Sequence, residues 1–575
     1  MEQPLCDASW KPSVVHPLRR IDSCVLRTTY TPSEGEASEM TRIMEKEEED
    51  IVRRTKEILW ARQMLKEAET RKKALELNLM QRRSIVSVQR RVPAEIWEII
   101  FGMASVSSYR QASLVIDSRI RTGILMPPII LSHVCSRWRQ ITLRCPRIWS
   151  SIHIEFQGLP KHSHHLLRTY LENSRGSVLR LSLSASGTRP DTLCWHILAP
   201  NLSRCSSLTL EVYDMNDFVA SIRSTAGISL PVLVSFNGMT GQDDAFVSEN
   251  WLWQAVRHAS KLVTAQIPYV LPSSSFCYPQ LTKLKVGDLN AAHFTEFLTI
   301  LKTSSLLRSL SIVISPHDYS VDSIPEVTIS KIELPYLQRL VANSPNETVG
   351  LHNHLLNTLF RSLTTPSLHN LALRYADTRE SSEMRWPPPL LTMVSHSSSS
   401  LQSLTLRIDH LRGCPQEPIS AILKMTPHVI SFQLQMAPNP FGLTSSGEPF
   451  HQVTSTFITT FISELMSRPP LLPRLESLSV QVAGISLDRS IIDSVFALAA
   501  SRGRARAAVD NLPFRVDTRT LKDIRIEPFS PLSGPLVLSE EALARIRQME
   551  DEGIMLHIGH GPKYFTQFDD DSDFE

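Results

Sequence analysis

No stretch of this 575-residue chain holds the run of about 18 apolar residues that a membrane-crossing helix needs, and its first residues, MEQPLCDASWKPSVV, lack the apolar core of a secretory leader. No membrane association is expected. Cysteine is scarce and scattered, at positions 6, 24, 135, 145, 194, 205, 277 and 414, with no C-x-x-C pair and no dense framework. That pattern suits reduced thiols in a protein of the cytoplasm and/or nucleus. Charge of one sign is lacking too: 60 Lys plus Arg face 58 Asp plus Glu, so net charge gives no attraction to phosphate backbones and nucleic acid is not expected as a partner.

Catalytic signatures are equally absent. The chain contains no G-x-x-x-x-G-K-[ST], no G-x-S-x-G, no H-E-x-x-H and no glycine-rich dinucleotide fingerprint. His162, His164 and His165 are the one histidine cluster that invites a metal reading, yet no cysteine or carboxylate stands near them in sequence, and such a run is more often a solvated loop or helix start. Cys135 and Cys145 have no histidine spaced to act as a base except His133, which falls on another side of a helix. The expectation is a non-enzyme with no cofactor and no metal.

What is present divides the chain into five stretches. Residues 1–38 are rich in Pro, Ser and Thr without periodicity and read as a disordered leader. Residues 39–90 contain neither Pro nor Gly and are dense in Glu, Lys and Arg; Met44, Ile51, Ile58, Leu65, Lys72, Leu79 and Val86 recur every seven residues, with Ala61, Ala68 and Leu75 three positions on. This is a heptad seam on one long helix, suited to weak self-association or to a helix that folds back or projects as a spacer. Lys72 in the seam and Arg54 and Arg82 at second seam positions weaken the pairing.

At residues 91–155 the pattern changes. Pro93 is pre-set for a helix start, Glu95 suits the positive end of the dipole, and Ile96, Ile99, Ile100 and Met103 recur at i, i+3, i+4 and i+7. Residues 104–126 read as a polar interruption. A second start at Pro127-Pro128 leads into Leu131, Val134, Cys135, Trp138 and Ile141 at helical spacing, and Pro146 then turns the chain so that Ile148 and Trp149 close the pair. So small a module leaves part of its apolar surface open unless something covers it.

Residues 175–530 repeat a Φ-x-x-Φ-x-Φ triplet whose last three positions suit a short strand with one buried face. Clear copies are Leu281/Leu284/Val286, Leu307/Leu310/Ile312, Leu368/Leu371/Leu373, Leu401/Leu404/Leu406, Leu475/Leu478/Val480 and Leu521/Ile524/Ile526; weaker ones include Val178/Leu181/Leu183, Cys205/Leu208/Leu210 and Leu337/Leu340/Ala342. From 281 to 429 the steps are 26, 30, 31, 33 and 28 residues. Residues such as 292–301 and 456–465 look helical, so strand and helix alternate, which predicts an α/β fold with parallel strands inside and helices outside. Residues 437–450 read as a surface loop, and residues 531–575 as a C-terminal segment ending in an acidic tail in which Ser572 is a candidate phosphorylation site.

The string VPAEIWEIIF, followed by LSHVCSRWRQITLRCPRIWSSI, resembles the F-box of large fungal F-box-like families, with Val92 in place of the usual Leu and a long loop between the helices. The repeats behind it resemble irregular leucine-rich repeats, without the asparagine that normally follows the strand. The resemblance implies an N-terminal long helix, a small α-helical F-box and a leucine-rich-repeat solenoid. It implies a substrate adaptor whose F-box docks a Skp-type adaptor of a cullin-based ubiquitin ligase, through Pro93, Glu95, Ile96, Ile100, Leu131, Val134, Cys135 and Trp138, while the repeats bind a target protein. A scaffold acting without a ligase is the alternative.

Overall fold

The computed structural model describes residues 30–106, 111–120, 123–160, 162–185, 191–222, 228–240, 251–270, 279–289, 293–314, 331–343, 351–376, 386–411, 416–438, 450–467, 471–482, 489–509, 521–528, 540–551 and 553–558. The acidic tail with Ser572, most of the leader, and residues 439–449 of the expected surface loop lie outside them. The chain divides into two units, residues 1–93 and 94–575.

Most of the described part of the first unit is one helix, α1 (Glu34–Val86), 53 residues long. It begins earlier than the heptads predict, because Ser33 and Glu36 cap it: the Ser33 N–H donates to Glu36 Oε2 at 3.0 Å and its hydroxyl at 2.7 Å. It ends at Ser87, whose Oγ accepts the Gln89 N–H at 3.3 Å and starts a 3-10 turn, Val88–Arg90. No residue of α1 is buried.

The second unit is α/β. It opens with a helical module, α2 (Ala94–Ala104), α3 (Pro127–Ser132), α4 (Ser136–Arg144) and a 3-10 turn at Pro146–Trp149. Among the described residues sixteen strands form one sheet, parallel throughout except for its first pair. The stretch 104–126, expected to be a polar interruption, supplies that pair: β1 (Leu114–Ile116) and β2 (Ile124–Leu125). All three residues of β1 are fully buried, and β1 lies parallel to β3 (Ser151–Glu155), so the helical module is built onto the sheet edge. At the far end, residues 555–558, within the expected C-terminal segment, pair parallel with strand Asp523–Pro528.

The triplets explain the register. Leu371, Leu404, Phe432, Leu478 and Ile524 stand opposite one another in successive strands, as do Leu373, Leu406, Leu434, Val480 and Ile526. Leu404 and Leu406 are both fully buried, because residues two apart in a strand share a face. Helices connect most strands, among them α5 (Ser163–Asn173), between β3 and β4 (Leu179–Ala185), and α6 (Thr192–Leu198), between β4 and β5 (Cys205–Val212). One apolar cluster runs from Leu114 to Leu556.

Two arginines brace this layer. Arg204 donates to the carbonyls of Leu171, at the end of α5, at 3.1 Å and of Ser177 at 3.0 Å. Arg502 does the same for Leu465, ending helix Phe450–Leu465, at 2.9 Å and for Leu471 at 2.7 Å. Each satisfies orphan carbonyls where a helix turns back to a strand, and burial lowers the pKa of both guanidinium groups.

One expected triplet is displaced. Val178 is exposed and Leu179 fills the buried position, because a register shift between Leu179 and Arg180 sets Leu179 opposite Cys205. Strand Ser235–Thr240 escaped the pattern because Gly238 occupies its last apolar position; a Cβ there would lie 3.1 Å from the Phe236 ring and 3.3 Å from Pro268 Cδ.

Candidate functional site

The helical module has an inside and an outside that its sequence does not separate at first sight. On α2, Trp97 and Phe101 are buried, one turn apart, while Ile96, Ile99, Ile100 and Met103 are exposed, Met103 to 76%. The aromatic pair meets Trp138 of α4: the Trp97 and Phe101 ring centroids lie 5.0 Å and 4.9 Å from it, and 5.4 Å from each other. Three offset or edge-on rings make a self-sufficient core. The isoleucine stripe is therefore left over.

Residues 127–145 do not form one helix. The chain leaves the helix after Ser132, and Cys135, in extended backbone, caps α4 by accepting the Trp138 N–H at 3.5 Å on Sγ. The helical spacing from Leu131 to Ile141 thus spans two helices, and its members separate. Trp138 is half-buried in the ring cluster and Ile141 is core; Leu131 is half-buried; Val134 and Cys135 are exposed. Ile130, outside the expected set, is 62% exposed. Glu95, Ile96 and Ile100 are exposed on α2. Pro93 is exposed as the last residue of the first unit, directly before α2. Trp97 and Phe101 stand at i, i+4, but that spacing alone does not rank them above the isoleucine stripe, and nothing in the sequence marked Ile130.

The module is stapled to the sheet. The Trp149 Nε1–H donates to the Thr142 carbonyl at 2.9 Å, and its ring packs edge-on against Tyr170 of α5 at 4.9 Å. The Tyr170 hydroxyl donates to the Ser113 carbonyl, beside β1, at 3.1 Å. Burial raises the pKa of this phenol, which keeps it a donor.

A charged network lies alongside. Arg119 reaches both Asp117 oxygens at 3.0 Å and Glu155 at 3.2 Å, the Ser184 hydroxyl donates to Glu155 at 2.8 Å, and His153 Nδ1 meets Ser182 Oγ at 2.9 Å. Asp117 and His153 are completely buried. This acid and base constellation ties the turn after β1 to β3 and β4.

One member of the histidine cluster, His164, acquires the partners that its sequence neighbourhood lacks. His164 Nε2 stands 3.0 Å from Asp191 Oδ1, and Cys194 Sγ completes a set of donor atoms within 4.8 Å of one another. Such a set has the chemistry to hold a soft divalent ion. Asp191 already serves as the N-cap of α6, accepting the Cys194 N–H at 2.8 Å. Burial works to raise its pKa, but that bond and the His164 contact outweigh it and hold the carboxyl below its ordinary value. Burial, with Asp191 adding to it, pushes the Cys194 thiol up to about 12, so it is protonated at neutral pH. The arrangement reads as a helix cap buttressed by a histidine.

The four described cysteines at 135, 145, 194 and 205 are free thiols, and no described helix is long and apolar enough to cross a membrane. Compared with known proteins, the chain matches no family model and is similar to no curated protein.

Proposed function

We propose that the chain is a substrate adaptor: its helical module acts as an F-box that docks a Skp-type adaptor of a cullin ubiquitin ligase, and the sheet with its connecting helices acts as an irregular leucine-rich-repeat surface for a target protein. One observation carries the reading. Ile96, Ile99, Ile100 and Met103 on α2, with Ile130 and Val134 at the end of α3 and just beyond it, remain exposed although the module has completed its own core with Trp97, Phe101 and Trp138. Six large apolar side chains exposed on about 40 residues of helical module are what a partner-binding surface would need. The sequence resemblance supplies the partner's identity.

The test is co-purification. A tagged full chain recovered from its own cells is expected to bring down a Skp-type adaptor and a cullin, and the Ile96→Asp/Ile100→Asp variant to lose both. Both side chains are exposed, so the variant keeps its fold. Recovery of target proteins without adaptor or cullin by the wild-type chain would favour a scaffold that works outside any ligase.

A further inference from the structure

We infer that α1 pairs with α1 of a second copy of this chain, antiparallel, about a two-fold axis level with the Leu59–Trp60 peptide. None of its 53 residues is buried, yet Met40, Met44, Ile51, Ile58, Leu65, Leu75 and Leu79 repeat at seam positions and each is at least 46% exposed. A helix in water without a packed face is held only by propensity and local ion pairs, so this seam calls for a cover.

The sequence selects the cover and its direction. In a two-fold arrangement every contact occurs twice, residue for residue. With the axis between Leu59 and Trp60, Met40 meets Leu79 of the second copy, Met44 meets Leu75, Ile51 meets Ala68, Ile58 meets Ala61 and Arg54 meets Leu65. Large residues face small ones in the central apolar layers, which lets the helices approach closely. The one fully charged layer is complementary: Glu47 meets Lys72 of the second copy. On the flank Asp50 meets Arg71. Glu48 faces Glu69, the one like-charge contact beside the seam. A parallel, in-register pair would instead set Glu47, Arg54, Lys72 and Arg82 each against its own copy, four like-charge layers in one seam.

The charge of the whole helix points the same way. Residues 34–59 hold nine acidic and five basic side chains, and residues 60–85 hold seven basic and three acidic. Antiparallel pairing lays the acidic half of each helix on the basic half of the other, and also opposes the two helix dipoles. The existing ion pairs at these positions, Arg54 with Glu57 at 3.0 Å and Lys72 with Glu76 at 3.8 Å, are exposed and cheap to exchange. The overlap from Met40 to Leu79 is about 60 Å long at 1.5 Å per residue.

Sedimentation velocity and light scattering of the full chain test the pairing. The wild-type chain is expected at twice its 64.9 kDa mass, and Ile58→Asp at the monomer mass, with the melting of the sheet unchanged. Glu47→Lys and Lys72→Glu, each alone, are expected to weaken the dimer by on the order of tenfold, since each turns two attractive contacts repulsive, and the double variant to restore it. A monomer at every concentration overturns pairing, and a dimer indifferent to the two single swaps overturns the antiparallel register. Adaptor recovery by Ile58→Asp at wild-type level separates this result from the docking proposal, which does not depend on it.

Discussion

The long helix and the sheet are both written in periodic apolar residues, and they end in opposite states. In the sheet, the triplet positions Leu404, Leu406, Leu478 and Val480 lose all contact with water, because each strand places its neighbour's apolar row directly opposite its own. In α1, Ile51, Leu65 and Leu75 keep more than 60% of their surface. The difference lies in what each period can close. A strand-and-helix period closes on the next copy within one chain, whereas a heptad closes only on another helix. Periodicity therefore predicts that a face will be covered and not which molecule covers it.

The helical module stands between these cases. Its rings close a core internally and its isoleucines do not, so substitutions should sort residues into those that carry stability and those that carry binding. The largest effect belongs to Leu404→Asp. A lone carboxylate between Leu371 and Phe432 would cost several kcal/mol, enough to unfold the sheet in a thermal melt, whereas Leu65→Asp in α1 should leave the same melt unchanged. Trp138→Ala comes next: removing the half-buried ring that joins Trp97 and Phe101 should cost up to about 3 kcal/mol, seen as faster hydrogen exchange in α2 and α4 before the sheet exchanges. Equal protection of all three elements in that variant would mean that the cluster is not the module's core.

Arg502→Ala should cost about 1–3 kcal/mol by orphaning the carbonyls of Leu465 and Leu471, read as a lower denaturant midpoint with an unchanged slope. The smallest effect sits at the α6 cap. Because the Asp191 pKa is lowered in the folded state, its charge stabilises the fold at neutral pH, and that contribution is lost as pH falls through the folded pKa, below the ordinary value of 3.8. Asp191→Asn keeps an N-cap acceptor and should cost less than Asp191→Ala, which loses about 0.5–2 kcal/mol. The gap between wild type and Asp191→Asn should narrow only as pH falls from 3.8 through the folded pKa; a gap unchanged there would contradict a carboxylate charge that stabilises the fold.

Much of this is legible in the sequence. The helical stretches between the triplets from Leu281 to Ile526 announced that the strands run parallel, and the triplets themselves announced strands because a period of two needs no knowledge of the partner. The heptads announced α1 for the same reason. What the sequence concealed were features decided by tertiary geometry. β1 is hidden in a stretch that reads as polar because only three residues of it matter, and they are buried by pairing with β3. The break at His133–Cys135 is invisible because the apolar spacing continues across it. Asp191 and Cys194 lie about 30 residues from His164, which they approach, a distance only the α5–β4–α6 path removes. On α2 the stripe was seen correctly as one face; that Trp97 and Phe101 would claim the core and leave the stripe outside followed from aromatic size, which spacing alone does not weigh.

The docking face is the claim on which the function rests, and titration calorimetry of the purified full chain with a purified Skp-type adaptor addresses it without help from the cell. The adaptor is expected to bind the wild-type chain with a negative heat-capacity change, the mark of apolar burial, and to bind Ile96→Asp/Ile100→Asp at least about a hundredfold more weakly, as removal of a central apolar anchor implies, while both proteins melt at the same temperature. Equal affinity for the two, or no binding to the wild-type chain, would contradict the assignment of this face to a ligase adaptor.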